Sequence, residues 1–336
     1  MKHERCPATD RRQAESWNCG KLGERQVKTY QYKPDAPASA SHATLRMNAL
    51  ASASGLYWRV CFLLPFALLV VSVLIAADAP MISEAVTDEN GFRVHRVTSE
   101  FQRGETLIRV LLPDRMESGR SLKVLYLLPV EAGIERRYGD GLIAAKRLDL
   151  ANRHQLICVA PTFSHLPWYA DHPTDKAIRQ ESYFVKLVVP AIEKRYPALA
   201  ERNGRWLVGF SKSGYGAWSL LLRNSATFAK AAAWDAPLMQ TAPNQFGMGP
   251  IYGTPENFEH YRLDRLLRDR AADVRSERGR LIHLGYGNFR DHHQRAEALL
   301  NEQQIPHVYT DGPQREHTWQ SGWLDEAVTA LLTTKP

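Results

Sequence analysis

Cysteine is scarce in this chain: four in 336 residues, at positions 6, 19, 61 and 158. No two of them have the spacing of metal ligands. Only Cys158 lies beyond residue 79, inside the apolar stretch Leu156-Ile157-Cys158-Val159-Ala160. A single cysteine leaves that part without an internal disulfide, and in an apolar strand it reads as a small core residue, not a nucleophile. Internal repeats and low-complexity tracts are absent, which excludes solenoid and fibrous classes. A basic patch is missing as well. The formal net charge is +7, but residues 1–59 hold 10 Lys/Arg against 5 Asp/Glu, leaving 33 against 31 for the remainder. Charge so nearly balanced is solvated surface and implies no nucleic-acid partner.

Three segments are expected. Residues 1–59 are polar, with few large apolar side chains, and read as a disordered extension; Met47 offers an alternative start within it. Val60 to Ala77 is an uncharged run, preceded by Arg59 and followed by the small-x-small pattern Ala77-Asp78-Ala79. Residues 60–79 thus suit a signal-peptide h-region or a membrane anchor. The basic excess on the N-terminal side of this run places residues 80–336 outside the cytoplasm, so the protein is expected to be periplasmic, secreted or anchored. Residues 80–336 form the globular part.

There, strand and helix patterns alternate. Residues 92–101 and 106–112 alternate like antiparallel strands around Gly104-Glu105. Leu122–Leu128, Leu156–Ala160, Trp206–Phe210, Ala229–Trp234, Leu281–Leu284 and His307–Thr310 are short apolar runs of buried strands. Helical spacing appears at 142–152, 183–195, 216–222, 296–300 and 324–332. The pattern predicts an α/β fold with a mostly parallel central sheet and helices on both faces. Residues 236–273 interrupt the rhythm and are expected to form a lid-like or pocket-forming insertion.

The chemistry concentrates in Trp206–Trp218, WLVGFSKSGYGAW. A buried strand running through Gly209-Phe210-Ser211-Lys212-Ser213-Gly214 into a helix is the setting of a nucleophile elbow. The strained turn demands small residues two positions either side of Ser211, which Gly209 meets and Ser213 meets less well than a glycine, and it exposes the hydroxyl; the helix N-terminus aims backbone N–H groups, that of Lys212 among them, at a developing oxyanion. A serine nucleophile needs a base and an orienting acid, in the chain order Ser, Asp/Glu, His. Asp291 ends the glycine-rich loop after Leu281–Leu284, and His317 lies in the loop before the last helix. Rival residues read as structural: His292 and His293 as helix surface, His283 as a satisfied buried histidine, and Asp311 as too close to His317 in sequence to face it.

These residues resemble the esterase family of α/β-hydrolases that includes S-formylglutathione hydrolase (esterase D), feruloyl and enterochelin esterases and the mycolyltransferases. GFSKSGYGA (Gly209–Ala217) is similar to its G-x-S-M-G-G-x-x-A elbow, and Gly312 with Glu316-His317-Thr318-Trp319 to its G-x-H-x-W. Pro167–His172 resembles its S-W-Y-x-D stretch and Val185–Tyr196 its helix E-L-x-x-x-I-x-x-x-Y, so the likeness spans roughly 105–332. It implies the α/β-hydrolase fold, cleavage of carboxylic esters by Ser211, Asp291 and His317, and neither metal nor organic cofactor. Two departures stand out. Leu128-Pro129-Val130-Glu131 replaces L-H-G at the third strand's end, so the second oxyanion donor falls to Val130 or Glu131, the latter bringing opposing negative charge. Lys212 and Ser213 replace Met and Gly. Trp168, Tyr169, Tyr215 and Trp319 are expected to line a pocket for a small-molecule, glycan or lipid ester. Acyl transfer by the same residues, or a non-catalytic binding relative, is the alternative; a membrane is met only through an uncleaved residue 60–79 segment.

Overall fold

The computed structural model describes residues 80–334, except Arg278 and Tyr286. The expectations for residues 1–79, including the alternative start at Met47, the leader or anchor, and Cys6, Cys19 and Cys61, lie outside the described residues. Among the described residues no helix is long and apolar enough to cross a membrane.

Ten strands make one sheet: β1 (Met81–Ile82), β2 (Val86–Thr87), β3 (Arg93–Thr98), β4 (Glu105–Leu111), β5 (Lys123–Leu127), β6 (Leu156–Pro161), β7 (Arg205–Phe210), β8 (Lys230–Trp234), β9 (Leu281–Leu284) and β10 (His307–Thr310). Their order is β1-β3-β4-β6-β5-β7-β8-β9-β10, with β2 also on β3. From β6 to β10 every pairing is parallel, while β4 joins β6 antiparallel. The parallel strands alternate between two apolar layers, as the period of two requires. Val124 and Tyr126 of β5, Leu207 of β7 and Ala231 and Ala233 of β8 enter one core. Leu125 and Leu127, Val208 and Phe210, and Ala232 and Trp234 enter the other. Cys158 is fully buried in the second.

The first helices are α1 (Gly141–Arg147) and α2 (Leu150–His154), then α3 (Gln180–Tyr183) and α4 (Val189–Arg195) joined by a π-turn over Phe184–Val188. After α5 (Ser211–Arg223) come α6 (Gly249–Tyr252), α7 (Pro255–Glu259), α8 (Leu263–Asp269), α9 (Ala271–Arg275), α10 (Arg290–Glu302) and α11 (Trp323–Thr333). The α5 helix packs into the first core; α1, α2 and α11 cover the opposite face.

Two expectations need correction. The 142–152 helix is two helices, because Asp149 turns left-handed at φ 53°. The helix expected to open at Gly216 opens at Ser211. Its glycines serve packing, not termination: a Cβ on Gly214 would stand 2.7 Å from the Ala236 methyl, and one on Gly216 would overlap the Tyr169 ring. Residues 236–273 join the core on one side only, and 244–247, 249–250, 253–256 and 268–270 are exposed. Met248, Ile251, Tyr252, Phe258, Leu263 and Leu267 of this insertion are buried in the first layer.

Candidate active site

The turn from β7 into α5 holds Ser211 at φ 51°, a left-handed conformation that costs a non-glycine residue about 1–3 kcal/mol. Three contacts hold it there. The Ser211 N–H donates to the Asp235 carbonyl at 3.1 Å. The buried Ser213 hydroxyl donates to Phe210 O at 2.9 Å and accepts Phe210 N–H at 3.1 Å. Gly209 leaves room for the turn, since a Cβ there would meet Ser213 backbone at 2.5 Å. Ser213, the departure from the family's glycine, is therefore a brace for the elbow. Lys212 is the second residue of α5, so its N–H is a first-turn donor without an intrahelical acceptor four residues back. Burial pulls the Lys212 ammonium below its ordinary pKa, and the Glu131 and Glu135 carboxyls oppose this.

His317 is one-fifth exposed, and its Nδ1–H donates to Asp235 Oδ2 at 2.7 Å. That leaves Nε2 to take a proton. The ring is wedged against Phe210, Tyr138 and Trp234, at centroid distances of 5.0, 5.6 and 6.1 Å. Asp235 is fully buried at the end of β8, itself left-handed at φ 40°. Its carboxylate also accepts Phe289 N–H at 2.7 Å and the Asn288 amide at 3.0 Å. Gly287 is required beside it, at φ 76°, because a Cβ would overlap the Asp235 carboxylate. The carboxylate bonded to His317 is thus that of Asp235 and not that of Asp291. Asp291 sits in the exposed first turn of α10, two-thirds exposed, and pairs with Arg295 at 3.1 Å. The loop after β9 approaches the site through Asn288 and the Phe289 amide instead. The sequence did carry a signal for Asp235: an aspartate directly after the apolar strand Ala229–Trp234, where α/β sheets collect active groups.

The oxyanion side also differs from expectation. Val130 N–H is occupied, donating to Glu135 Oε1 at 2.6 Å, so it is withdrawn as a donor. Pro129 O accepts the Tyr169 hydroxyl at 2.7 Å. Glu131 turns its carboxylate onto its own loop, where Oε2 accepts the N–H groups of Arg136 and Arg137, both at 2.9 Å. The backbone N–H groups of Glu131 and Lys212 remain as candidates.

Trp168, Tyr169, Tyr215 and Trp319 do not line an open pocket. All four are buried to within 1%. Their polar tips are engaged internally: Tyr215 with Tyr261 O, Trp168 with Phe246 O and Trp319 with Glu135. The partly exposed aromatics beside His317 are Tyr138 and Phe289, and exposed Phe246 meets Phe289 edge-on at 5.7 Å.

Among the described residues, His283, Glu297 and His307 bring possible ligand atoms within 4.8 Å of one another. The donor pattern does not suit a metal. His293, buried and not on the surface as expected, accepts Ala236 N–H at Nε2, 2.9 Å, so its proton is on Nδ1. That proton faces His283 Nδ1 at 3.3 Å, which must accept it. His283 then carries its own proton on Nε2, toward Glu297 at 3.3 Å, with no lone pair to offer there. His292 accepts Met239 N–H at 3.0 Å, and Asp311 pairs with Arg290 at 2.8 Å.

Burial depresses His283 to about 4 and His293 well below the ordinary imidazole value of 6.5. Linkage sets the sign. Below 6.5 the unfolded chain takes up protons that the folded chain refuses, so stability present above that pH is lost as pH falls toward 4. His283 alone removes on the order of 3 kcal/mol by pH 4. Thermal unfolding followed across this window is expected to show a falling Tm; a constant or rising Tm would contradict the assignment.

No family model matches the chain. Esterase Rv1288 of Mycobacterium tuberculosis (strain ATCC 25618 / H37Rv) is 28% identical over 166 residues, 44% of this chain and 36% of that protein. The chain therefore matches about a third of that relative's length. Among solved structures, a ferulic acid esterase aligns with TM-score 0.57 and 20% identity over 76% of this chain and 98% of the other. S-Formylglutathione hydrolase from Agrobacterium tumefaciens aligns with TM-score 0.58 and 16% identity over 76% and 99%. The chain has the α/β-hydrolase fold of these structures, and the resemblance to esterases read from its motifs holds.

Proposed function

We propose that this α/β-hydrolase is a serine esterase acting on carboxylic esters through Ser211, His317 and Asp235. The observation that carries the reading is the His317–Asp235 hydrogen bond of 2.7 Å, with Asp235 joined by its own carbonyl to the Ser211 amide. Likeness to proteins named as esterases supports it.

Ser211 Oγ attacks the ester carbonyl while His317 Nε2 takes the hydroxyl proton. Asp235 holds the imidazole in the tautomer that leaves Nε2 free and stabilises the imidazolium that forms. The Lys212 and Glu131 amides receive the negative oxygen of the tetrahedral intermediate. His317 returns the proton to the departing alcohol, and water repeats the sequence on the acyl-enzyme. The chemistry asks for no metal or organic cofactor. Acyl transfer would share the first half of this sequence and differ in the acceptor. Export of the catalytic part rests on the uncharged run of residues 60–77.

Short-chain nitrophenyl esters test the reading. Turnover in the ordinary enzymatic range, roughly 1–10³ s⁻¹, is expected for acetate or butyrate. Folded protein that released nitrophenol no faster than buffer would favour a non-catalytic binding relative instead.

A further inference from the structure

Glu135 is a buried carboxyl that the proposed chemistry leaves unused. It lies between β5 and α1 and is 8% exposed. Each oxygen has one partner: Oε1 accepts Val130 N–H at 2.6 Å, and Oε2 accepts the Trp319 indole N–H at 2.8 Å. Val130 stands just past the end of β5, beside the candidate donor Glu131. Trp319 stands two residues beyond His317, and its backbone N–H donates to Tyr138 O at 2.9 Å. The Trp319 ring also meets Phe210, the residue before Ser211, edge-on at 5.1 Å. One side chain thus joins the loop facing the oxyanion to the loop carrying the base. Burying a carboxyl is expensive, and here the cost is offset by the two N–H donors, which an apolar residue would leave unpaired.

We propose that Glu135 is a positioning residue for the oxyanion site: by holding Val130 N–H it presents the next amide, that of Glu131, to the ester carbonyl. The inference rests on the serine-esterase reading. It carries a pH signature. Burial raises the Glu135 carboxyl to about 8, against the two N–H donors that favour its charge. The groups facing it are Glu131 and Asp140 on its own loop, Lys212 at the start of α5, Tyr169 from the segment after β6, and the neutral Trp319. Below that pH the side chain is neutral. Above it, a negative charge stands beside a site that must itself stabilise one, so turnover falls.

The test is steady-state kinetics of the full chain on a nitrophenyl ester from about pH 6 to about pH 10, with wild type, Glu135→Gln and Glu135→Leu. Fluorophosphonate labelling of wild type controls the underlying reading. Glu135→Leu is expected to lower kcat by about 10²-fold with KM within about threefold, as loss of one oxyanion donor does. Glu135→Gln keeps an oxygen for Val130 and carries no charge, so kcat should stay within about tenfold of wild type near pH 7 and lose the alkaline decline. Two results would overturn the inference: wild-type kcat in both variants, or an alkaline decline unchanged in Glu135→Gln, which would assign it to Lys212. If Glu135→Leu fails to fold, the Glu135→Gln profile decides. Unlabelled wild type sinks the esterase reading itself, an outcome distinct from labelled wild type with unaltered variants.

Discussion

Asp235→Asn is expected to lower kcat/KM on a nitrophenyl ester by about 10⁴-fold, while Asp291→Asn leaves it within about twofold. The first effect follows from the hydrogen bonds at Asp235. Its Oδ1 accepts Phe289 N–H, and its Oδ2 accepts both the Asn288 amide and His317 Nδ1–H. An asparagine that keeps the Phe289 bond must turn its own NH₂ toward His317. The imidazole then accepts at Nδ1 and carries its proton on Nε2, so it has no lone pair for the Ser211 proton. Repulsion between that NH₂ and the Asn288 amide adds to the loss. The second effect is small because Asp291 pairs with Arg295 on an exposed helix turn, an ion pair worth roughly 0.3–0.5 kcal/mol. Equal losses in the two variants would return the acid to Asp291.

Ser211→Ala is expected to reduce kcat by about 10⁴-fold or more, with residual rate left only to the oxyanion donors and binding. The substitution keeps the fold. Alanine retains the N–H that donates to Asp235 O, and it keeps the brace between Ser213 and Phe210, which does not involve the Ser211 hydroxyl. Tm should therefore remain within a few degrees of wild type. Substantial turnover in a folded Ser211→Ala protein would move the nucleophile elsewhere.

The elbow was legible because its demands are local. A glycine two residues before the serine, an apolar strand ahead and a helix behind are all visible in Trp206–Trp218. The position of His317, between the last strand and the last helix, was legible for the same reason. The acid was not, because Asp235 and Asp291 both satisfy the order Ser, Asp, His. What separates them is three-dimensional: β8 ends beside β7, so Asp235 emerges next to Ser211, whereas α10 starts one residue before Asp291 and turns it to solvent. Val130 was misjudged because its competitor, Glu135, lies five residues on and reaches back through its side chain. The four aromatics were misjudged because large rings near a motif either line a site or wall it from behind. Their donors bond to Pro129 O, Tyr261 O, Phe246 O and Glu135, which places them behind. Gly216 looked like a late helix start, and only the nearness of the Tyr169 ring gives the actual reason for it.

The most direct measurement is the site of covalent capture. Folded protein is reacted with a fluorophosphonate, digested, and its peptides are sequenced by mass spectrometry, alongside Asp235→Asn and Ser211→Ala. Stoichiometric phosphonylation of Ser211 is expected, much slower in Asp235→Asn and absent in Ser211→Ala. An adduct on another residue, or a folded wild-type protein that stays unmodified, would contradict the assignment of Ser211, His317 and Asp235 as one catalytic unit.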